Sequence, residues 1–324
     1  MSEEQKKATL VIESDEEETS LPMKPPPRAA PAEEDPIVID PDCLELDLNH
    51  RRVEDLNDLS NLRNIERLYL RWNLIKKIEN IEMLTTLQEI EFYDNQITKI
   101  ENLDTLVNLE IIDFSFNRLK KIENLEKLVN VQKLFLCANK ISLIENLDCL
   151  TNLTMLELGD NKLRKIENLD SLVNLRQLYL GKNKITKIEN LDKLVNLECI
   201  SLQANRIVKI ENLDKLVNLT ELYISENGIE KIENLDENKQ LDTLDLAKNR
   251  ITRIENISHM KDLTDLWMNH NNVEKWTDVD ELKHNKKIDT VYLEANPIAK
   301  DVQYRSKLKL VAPCLNKIDA TLCR

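Results

Sequence analysis

Histidine, cysteine and carboxylate side chains are all present in this chain of 324 residues, but none stands in an arrangement that could work as a catalytic or metal centre. The four histidines (His50, His259, His270 and His284) have no ligand spacing to one another or to a cysteine. The six cysteines (Cys43, Cys137, Cys149, Cys199, Cys314 and Cys323) show no pair spacing. Only three glycines occur (Gly159, Gly181 and Gly228), and none sits in a phosphate-cradling loop. Carboxylates are abundant, but they recur at one fixed interval, which marks a repeat rather than a paired acid and base. These residues predict no enzymatic activity, no metal and no bound cofactor.

A different chemistry does recur. Asp47, Tyr69, Glu91, Asp113, Phe135, Glu157, Tyr179, Ser201, Tyr223, Asp245, Trp267 and Tyr292 occupy the same slot of successive repeats. Six are aromatic, five acidic and none basic, in a chain whose tryptophans, tyrosines and phenylalanines number only 3, 6 and 4. Aromatics favour strands, which accounts for part of this enrichment; acids are depleted from strands, so it does not account for the carboxylates. Exposed aromatics anchor a protein partner, and interleaved carboxylates select and steer it. The partner is therefore expected to be a protein that is basic where it docks. Trp72, Tyr93 and Phe116 lie just past the strands and widen the patch.

The elements that hold this row follow from a repeat of twenty-two residues. An asparagine recurs at that interval from Asn73 through Asn95, Asn117, Asn139, Asn161, Asn183, Asn205, Asn227 and Asn249 to Asn271. Around Asn161 the frame reads Leu153, Leu156, Leu158, Leu163, Ile166, Leu169 and Leu172. A fixed period of this length specifies a solenoid. The Leu-x-Leu pair alternates in and out and predicts one short parallel strand per repeat, with the middle residue facing away from the core. Twenty-two residues leave no room for a full return helix, so an irregular or 3-10 segment is expected on the convex side. The expected fold is an α/β leucine-rich-repeat solenoid, a curved right-handed array of about twelve repeats. The frame asparagine is expected to turn inward and satisfy backbone groups of its own loop and the neighbouring one. A second ladder, Asn80 to Asn256, precedes each convex turn, where a cap is wanted. Lysine or arginine four residues after the frame asparagine, and glutamate two further on, read as a neutral solvated face. Phe92, Phe114 and Trp276 fall on core frame positions.

Asn271 to Asn296 breaks the period, and Asn296–Pro297–Ile298, Tyr304 and Pro313 then read as a cap over the exposed end of the core, with Tyr304 packing. Cys43 to Val53 serves as the N-terminal cap. Residues 1–43 form an acidic tail expected to be disordered, 44–298 the repeat array and 299–324 the C-terminal cap. Residues 1–40 hold eleven carboxylates and four basic side chains, half of the excess behind a net charge of -14. That balance argues against nucleic acid or an anionic membrane as partner. Ser14, followed by four acids, is a candidate phosphosite. No secretory signal and no apolar run of about 18 residues is visible, and the cysteines are unclustered, so an intracellular chain with reduced thiols is expected.

Unbroken Ile-Glu-Asn-Leu repeats, a lengthened last unit and the Asn-Pro-Ile cap together resemble the leucine-rich-repeat regulatory subunits of protein phosphatase 1, the regulatory-subunit-7 family, over residues 44–324. The resemblance implies that the phosphatase catalytic subunit lies against the concave face. The contact positions it implies are Asp113, Phe135, Glu157, Tyr179, Asp245, Asp265, Trp267 and Tyr292. A parallel ladder with eleven steps of ~4.8 Å is on the order of 50 Å long, close to the roughly 50 Å diameter of a ~300-residue domain. Many phosphatase regulators dock through a basic residue followed by Val-x-Phe. The triplets Ile90–Glu91–Phe92 and Ile112–Asp113–Phe114 lack the basic residue and are strand core, so binding would use the folded face. The short-motif groove of the enzyme would stay open for a third protein in a ternary complex. The family is also associated with newly made or inactive catalytic subunit and with phosphatase control in mitosis, and it implies a chain monomeric on its own in nucleus and cytoplasm. A leucine-rich-repeat scaffold for a cytoskeletal or ribonucleoprotein assembly is the alternative.

Overall fold

The computed structural model describes residues 39–57 and 59–323, and the acidic tail up to residue 38, with Ser14, lies outside the described residues. Residues from Asp40 onward form one compact unit. Its first six strands are β1 (Glu45–Asp47), β2 (Arg67–Tyr69), β3 (Glu89–Glu91), β4 (Ile111–Asp113), β5 (Lys133–Phe135) and β6 (Met155–Glu157). The next six are β7 (Gln177–Tyr179), β8 (Cys199–Ser201), β9 (Glu221–Tyr223), β10 (Thr243–Asp245), β11 (Asp265–Trp267) and β12 (Thr290–Tyr292). They stack in chain order as one parallel sheet. Equivalent residues pair across the period, as Leu68 with Ile90 and Leu222 with Leu244.

The sheet continues into the cap. A further parallel strand, β13 (Lys317–Ile318), pairs with β12, and β14 (Thr321–Leu322) folds back antiparallel on it. The twelve parallel strands expected from the repeat count are therefore thirteen, plus a closing hairpin. The solenoid is of the β type. Its return segments are chains of i→i+3 turns, such as Leu106 N–H to Leu103 carbonyl at 2.9 Å and Leu109 N–H to Leu106 carbonyl at 3.1 Å. Among the described residues, α-helix is confined to α1 (Trp276–Val279) and α2 (Tyr304–Val311) at the C-terminal end.

The core is the stacked aliphatic frame: Leu153, Leu156, Leu158, Ile166, Leu169 and Leu172 are all fully buried. At about 1.5–3 kcal/mol for each buried aliphatic, these columns are the main stabilising term. Phe92 and Phe114 take frame positions and stack at 5.4 Å with planes 2° apart. Trp276 departs from the expected core position: it is half-buried, donates its Nε1–H to Asp301 Oδ2 at 2.8 Å and packs on Tyr304. The longer last unit pulls it out of the column to join the array to its cap. Tyr304 is buried there and donates its hydroxyl to Asp319 Oδ1 at 3.2 Å, a packing role as expected.

The frame asparagines bridge repeats. Asn161 accepts from Ile141 N–H at 3.0 Å and donates to the Leu136, Leu158 and Gly159 carbonyls at 2.9, 3.1 and 3.1 Å. The same pattern runs from Asn73 to Asn296. The second ladder has a different cause from the capping expected of it. Each of these asparagines sits at positive φ, such as 58° at Asn168, where asparagine is tolerated better than most L residues. From that position Asn168 Nδ2 reaches the Ile144 carbonyl at 2.7 Å. A third ladder escaped the sequence reading although its spacing was visible: Asn108, Asn130, Asn152, Asn174, Asn196 and Asn218 each donate to a carbonyl of the preceding turn at 2.9 to 3.0 Å.

Candidate functional site

Alternation along each strand sends one residue into the core and its neighbours onto the open sheet face. Leu156 is fully buried, whereas Met155 and Glu157 beside it are half-exposed. The twelve residues of the repeated slot therefore form the central column of this face, in register from strand to strand, but less exposed than expected: the aromatics are half-buried, and Glu91, Asp113, Ser201 and Asp245 are buried between their neighbours.

The eight positions that the resemblance selects gather into two groups. Asp113, Phe135, Glu157 and Tyr179 are consecutive partners across β4, β5, β6 and β7. Asp245, Trp267 and Tyr292 are consecutive partners across β10, β11 and β12, with Asp265 two residues before Trp267 on the same face. Ser201 and Tyr223 separate the two groups along the column. Trp267 meets Tyr292 edge-on at 6.3 Å and also meets Tyr223 at 6.2 Å, reaching across Asp245. Tyr223 thus packs against the second group, although the resemblance did not select it. Lys317 of β13 lies 5.4 Å over the Tyr292 ring. The Trp267 Nε1–H is shielded and has no partner among the described residues, so it is a donor without an acceptor at the centre of an aromatic cluster.

The carboxylates are held rather than dangling. Asp113 Oδ1 accepts from Ser115 N–H at 2.7 Å. Asp245 accepts from Ser225 Oγ at 2.6 Å and from Ala247 N–H at 3.0 Å. Burial nonetheless raises both pKa values above the usual aspartate range, against the opposing pull of those hydrogen bonds. Burial also raises Glu157; its hydrogen bond with Cys137 opposes the rise and the charge of Asp113 adds to it. Tyr179 is pushed up to about 12 by burial and by Cys199. Burial pushes the Cys137 and Cys199 thiols to about 12, so neither is an activated nucleophile.

The flanking columns temper the acidity of the central one. Arg71 forks onto the Glu91 carboxylate, which neutralises that acid. Lys133 and Lys317 add positive charge beside Phe135 and Tyr292. What remains is a surface of held carboxylates between aromatic rings, capable of gripping a folded basic surface. Among the described residues no three His, Cys, Asp or Glu side chains converge as a metal site.

Two family profiles match the chain. One, described as leucine-rich repeat, covers residues 221–319; the other, leucine-rich repeats in two copies, covers 85–127, 151–193, 173–215 and 195–237. A stretch of 62 residues is 54% identical to protein phosphatase 1 regulatory subunit 7 of Xenopus tropicalis, covering 19% of this chain and 18% of that one. The human protein of the same name is 53% identical over 39 residues, 12% of this chain and 11% of the relative. These matches span less than a fifth of the relatives' length. Among solved structures, an internalin from Listeria monocytogenes superposes with a TM-score of 0.69 at 23% identity, covering 86% of this chain and 87% of its own. A leucine-rich-repeat protein of Leptospira interrogans gives 0.71 at 22% identity over 80% and 73%. At such identities the likeness concerns the fold. With the repeat frame, the parallel sheet and both profiles in agreement, the chain is a leucine-rich-repeat protein.

Proposed function

We propose that the chain is a non-enzymatic regulatory subunit that binds the catalytic subunit of protein phosphatase 1 through its sheet face, in nucleus and cytoplasm. The observation carrying this reading is the grouping of its eight contact positions. Positions scattered over 180 residues of sequence fall into two in-register clusters on one face, each mixing carboxylates with aromatic rings. The matched segments of phosphatase regulatory relatives point the same way. A phosphatase held on this face keeps its short-motif groove open to a third protein, because the chain carries no basic-Val-x-Phe sequence of its own. The test is capture of purified phosphatase 1 catalytic subunit by the full-length protein, with quantitation by titration. Saturable 1:1 binding supports the reading. An intact, folded chain that leaves the catalytic subunit free at micromolar concentration refutes it, and capture of cytoskeletal or ribonucleoprotein components in its place would favour an assembly scaffold.

A further inference from the structure

A second aromatic surface lies on the rim of the sheet at the other end of the array. His50 stacks on Trp72 with centroids 4.3 Å apart and planes 8° apart. Trp72 meets Tyr93 edge-on at 5.5 Å, and Tyr93 meets Phe116 at 4.8 Å. Four rings from four successive turns thus make one continuous strip. It is open to solvent: Trp72 is 41% and Phe116 46% exposed.

The fold does not call for these rings. His50, Trp72 and Phe116 sit at φ of 58°, 55° and 56°, in the left-handed region. The same turn is left-handed in the other repeats, where Asp94, Ala138, Asp160, Lys182 and Ala204 fill it. A bulky aromatic is among the costliest occupants of that region, and here it buries little in return. Three exposed rings at left-handed positions, bridged by half-buried Tyr93 into one strip over four turns, point to a ligand.

We propose that this strip is a docking groove for a proline-rich segment of a partner protein, bound as a polyproline II helix with acidic residues at the end beside His50. Two features of the strip select that occupant. Trp72 and Phe116 are two turns apart, roughly 9.6 Å at the usual strand spacing. A polyproline II helix advances roughly 9.3 Å per three-residue turn, so prolines three apart meet Trp72 and Phe116 with Tyr93 between them. Charge sets the direction. Arg51 and Arg52 are exposed beside His50 and take part in no ion pair among the described residues, two positive charges against the single carboxylate of Asp47 that lines the surface with His50, Arg51 and Trp72. Asp94, exposed between Trp72 and Phe116, repels acids from the middle of the segment and confines them to the arginine end. The phosphatase reading uses residues from Asp113 onward, so His50 and Trp72 lie outside it and only Phe116 adjoins it.

Fluorescence anisotropy with the full-length protein tests this. The probe is a labelled Pro-Pro-Leu-Pro-Pro-Leu-Pro peptide bearing two glutamates, made in two versions with the acids at either terminus. Saturable binding of one version is expected, with at least about tenfold loss for Trp72→Asn, for Phe116→Asn and for a peptide whose prolines are alanine. Replacing Arg51 and Arg52 by serine should weaken binding and flatten its salt dependence. The two asparagine variants should melt at or above the wild-type temperature, because asparagine tolerates the left-handed backbone better. The proposal fails if neither peptide saturates at millimolar concentration, if the alanine peptide binds equally, or if the asparagine variants bind as wild type. It also fails if those variants lose binding together with a lowered melting temperature, which would make the rings structural.

Discussion

Trp267 stands between Tyr292 and Tyr223 and beside the held carboxylate of Asp245, so it joins the aromatic and acidic parts of the sheet face. Its ring and that of Tyr292 point out of the core. Trp267→Ala and Tyr292→Ala should each weaken phosphatase capture by about 2 kcal/mol or more, roughly thirtyfold, with the melting curve near wild type. Asp245→Lys should weaken it further by setting like charge against a basic partner, whereas Lys121→Ala on the return face should leave capture unchanged. Normal binding by both aromatic variants would remove these residues from the interface. The raised carboxylates give a pH signature. Asp113, Glu157 and Asp245 have folded pKa values above their unfolded ones, so at neutral pH their ionised forms cost the free protein stability, and that cost is relieved as pH falls through the folded values. A basic partner stabilises the ionised forms and draws protons off. Capture should therefore weaken as pH falls through the folded values of these acids, with proton uptake on release, and Asp113→Asn combined with Glu157→Gln should flatten the profile. An affinity independent of pH over that range would mean that these acids do not meet cations.

Each turn of the array depends on asparagines doing two separate jobs. Asn161→Ala leaves the Ile141 N–H unpaired in the interior, removes one of the two amide donors to the Leu136 carbonyl (Asn139 is the other), and should cost about 1–3 kcal/mol in a denaturant melt. A midpoint indistinguishable from wild type would mean that water or a neighbouring group replaces the amide. At Asn168 the loss divides into a hydrogen bond to the Ile144 carbonyl and a backbone conformation. Asn168→Gly keeps the left-handed geometry and Asn168→Ala does not, so alanine should be worse than glycine by about 1 kcal/mol. This ordering is the reverse of the one expected inside a helix, and it separates a left-handed position from a helix cap. The 22-residue spacing made both ladders visible in the sequence, but spacing carries no φ angle, which is why a cap was read where a left-handed turn stands.

Contacts between neighbouring turns account for most of the array, so a whole turn can be removed without dissolving the rest. Deleting residues 184–205 takes out one period between Tyr179 and Asp245 while preserving the frame on either side. The variant should stay folded with a parallel sheet one strand shorter, and the two contact groups should approach by roughly 4.8 Å. If one rigid phosphatase surface spans both groups, capture should fall at least about a hundredfold, well beyond the loss from either aromatic truncation. Retention of wild-type affinity would mean that only one group engages the partner.

The repeat made the fold legible because, at a fixed period, local order and global order are the same thing. Leu156 buried, Glu157 outward and Asn161 inward in one turn imply the same in the next, and the pairing of equivalent residues across strands follows. The central column of the face was readable for that reason. The tertiary structure alone decided which neighbours win at each side chain. The period places Glu91 among the available acids, whereas a neighbouring column supplies Arg71 to neutralise it. The resemblance leaves Tyr223 outside the implied contact set, whereas the size of the Trp267 ring carries it across Asp245 to reach that tyrosine. Trp276 leaves its core column because the last unit is longer than the rest, and the sheet gains β13 and β14 because the cap presents free edge groups to pair. Repetition specifies backbone and core, where every turn meets the same surroundings; on the open face each side chain settles against different neighbours.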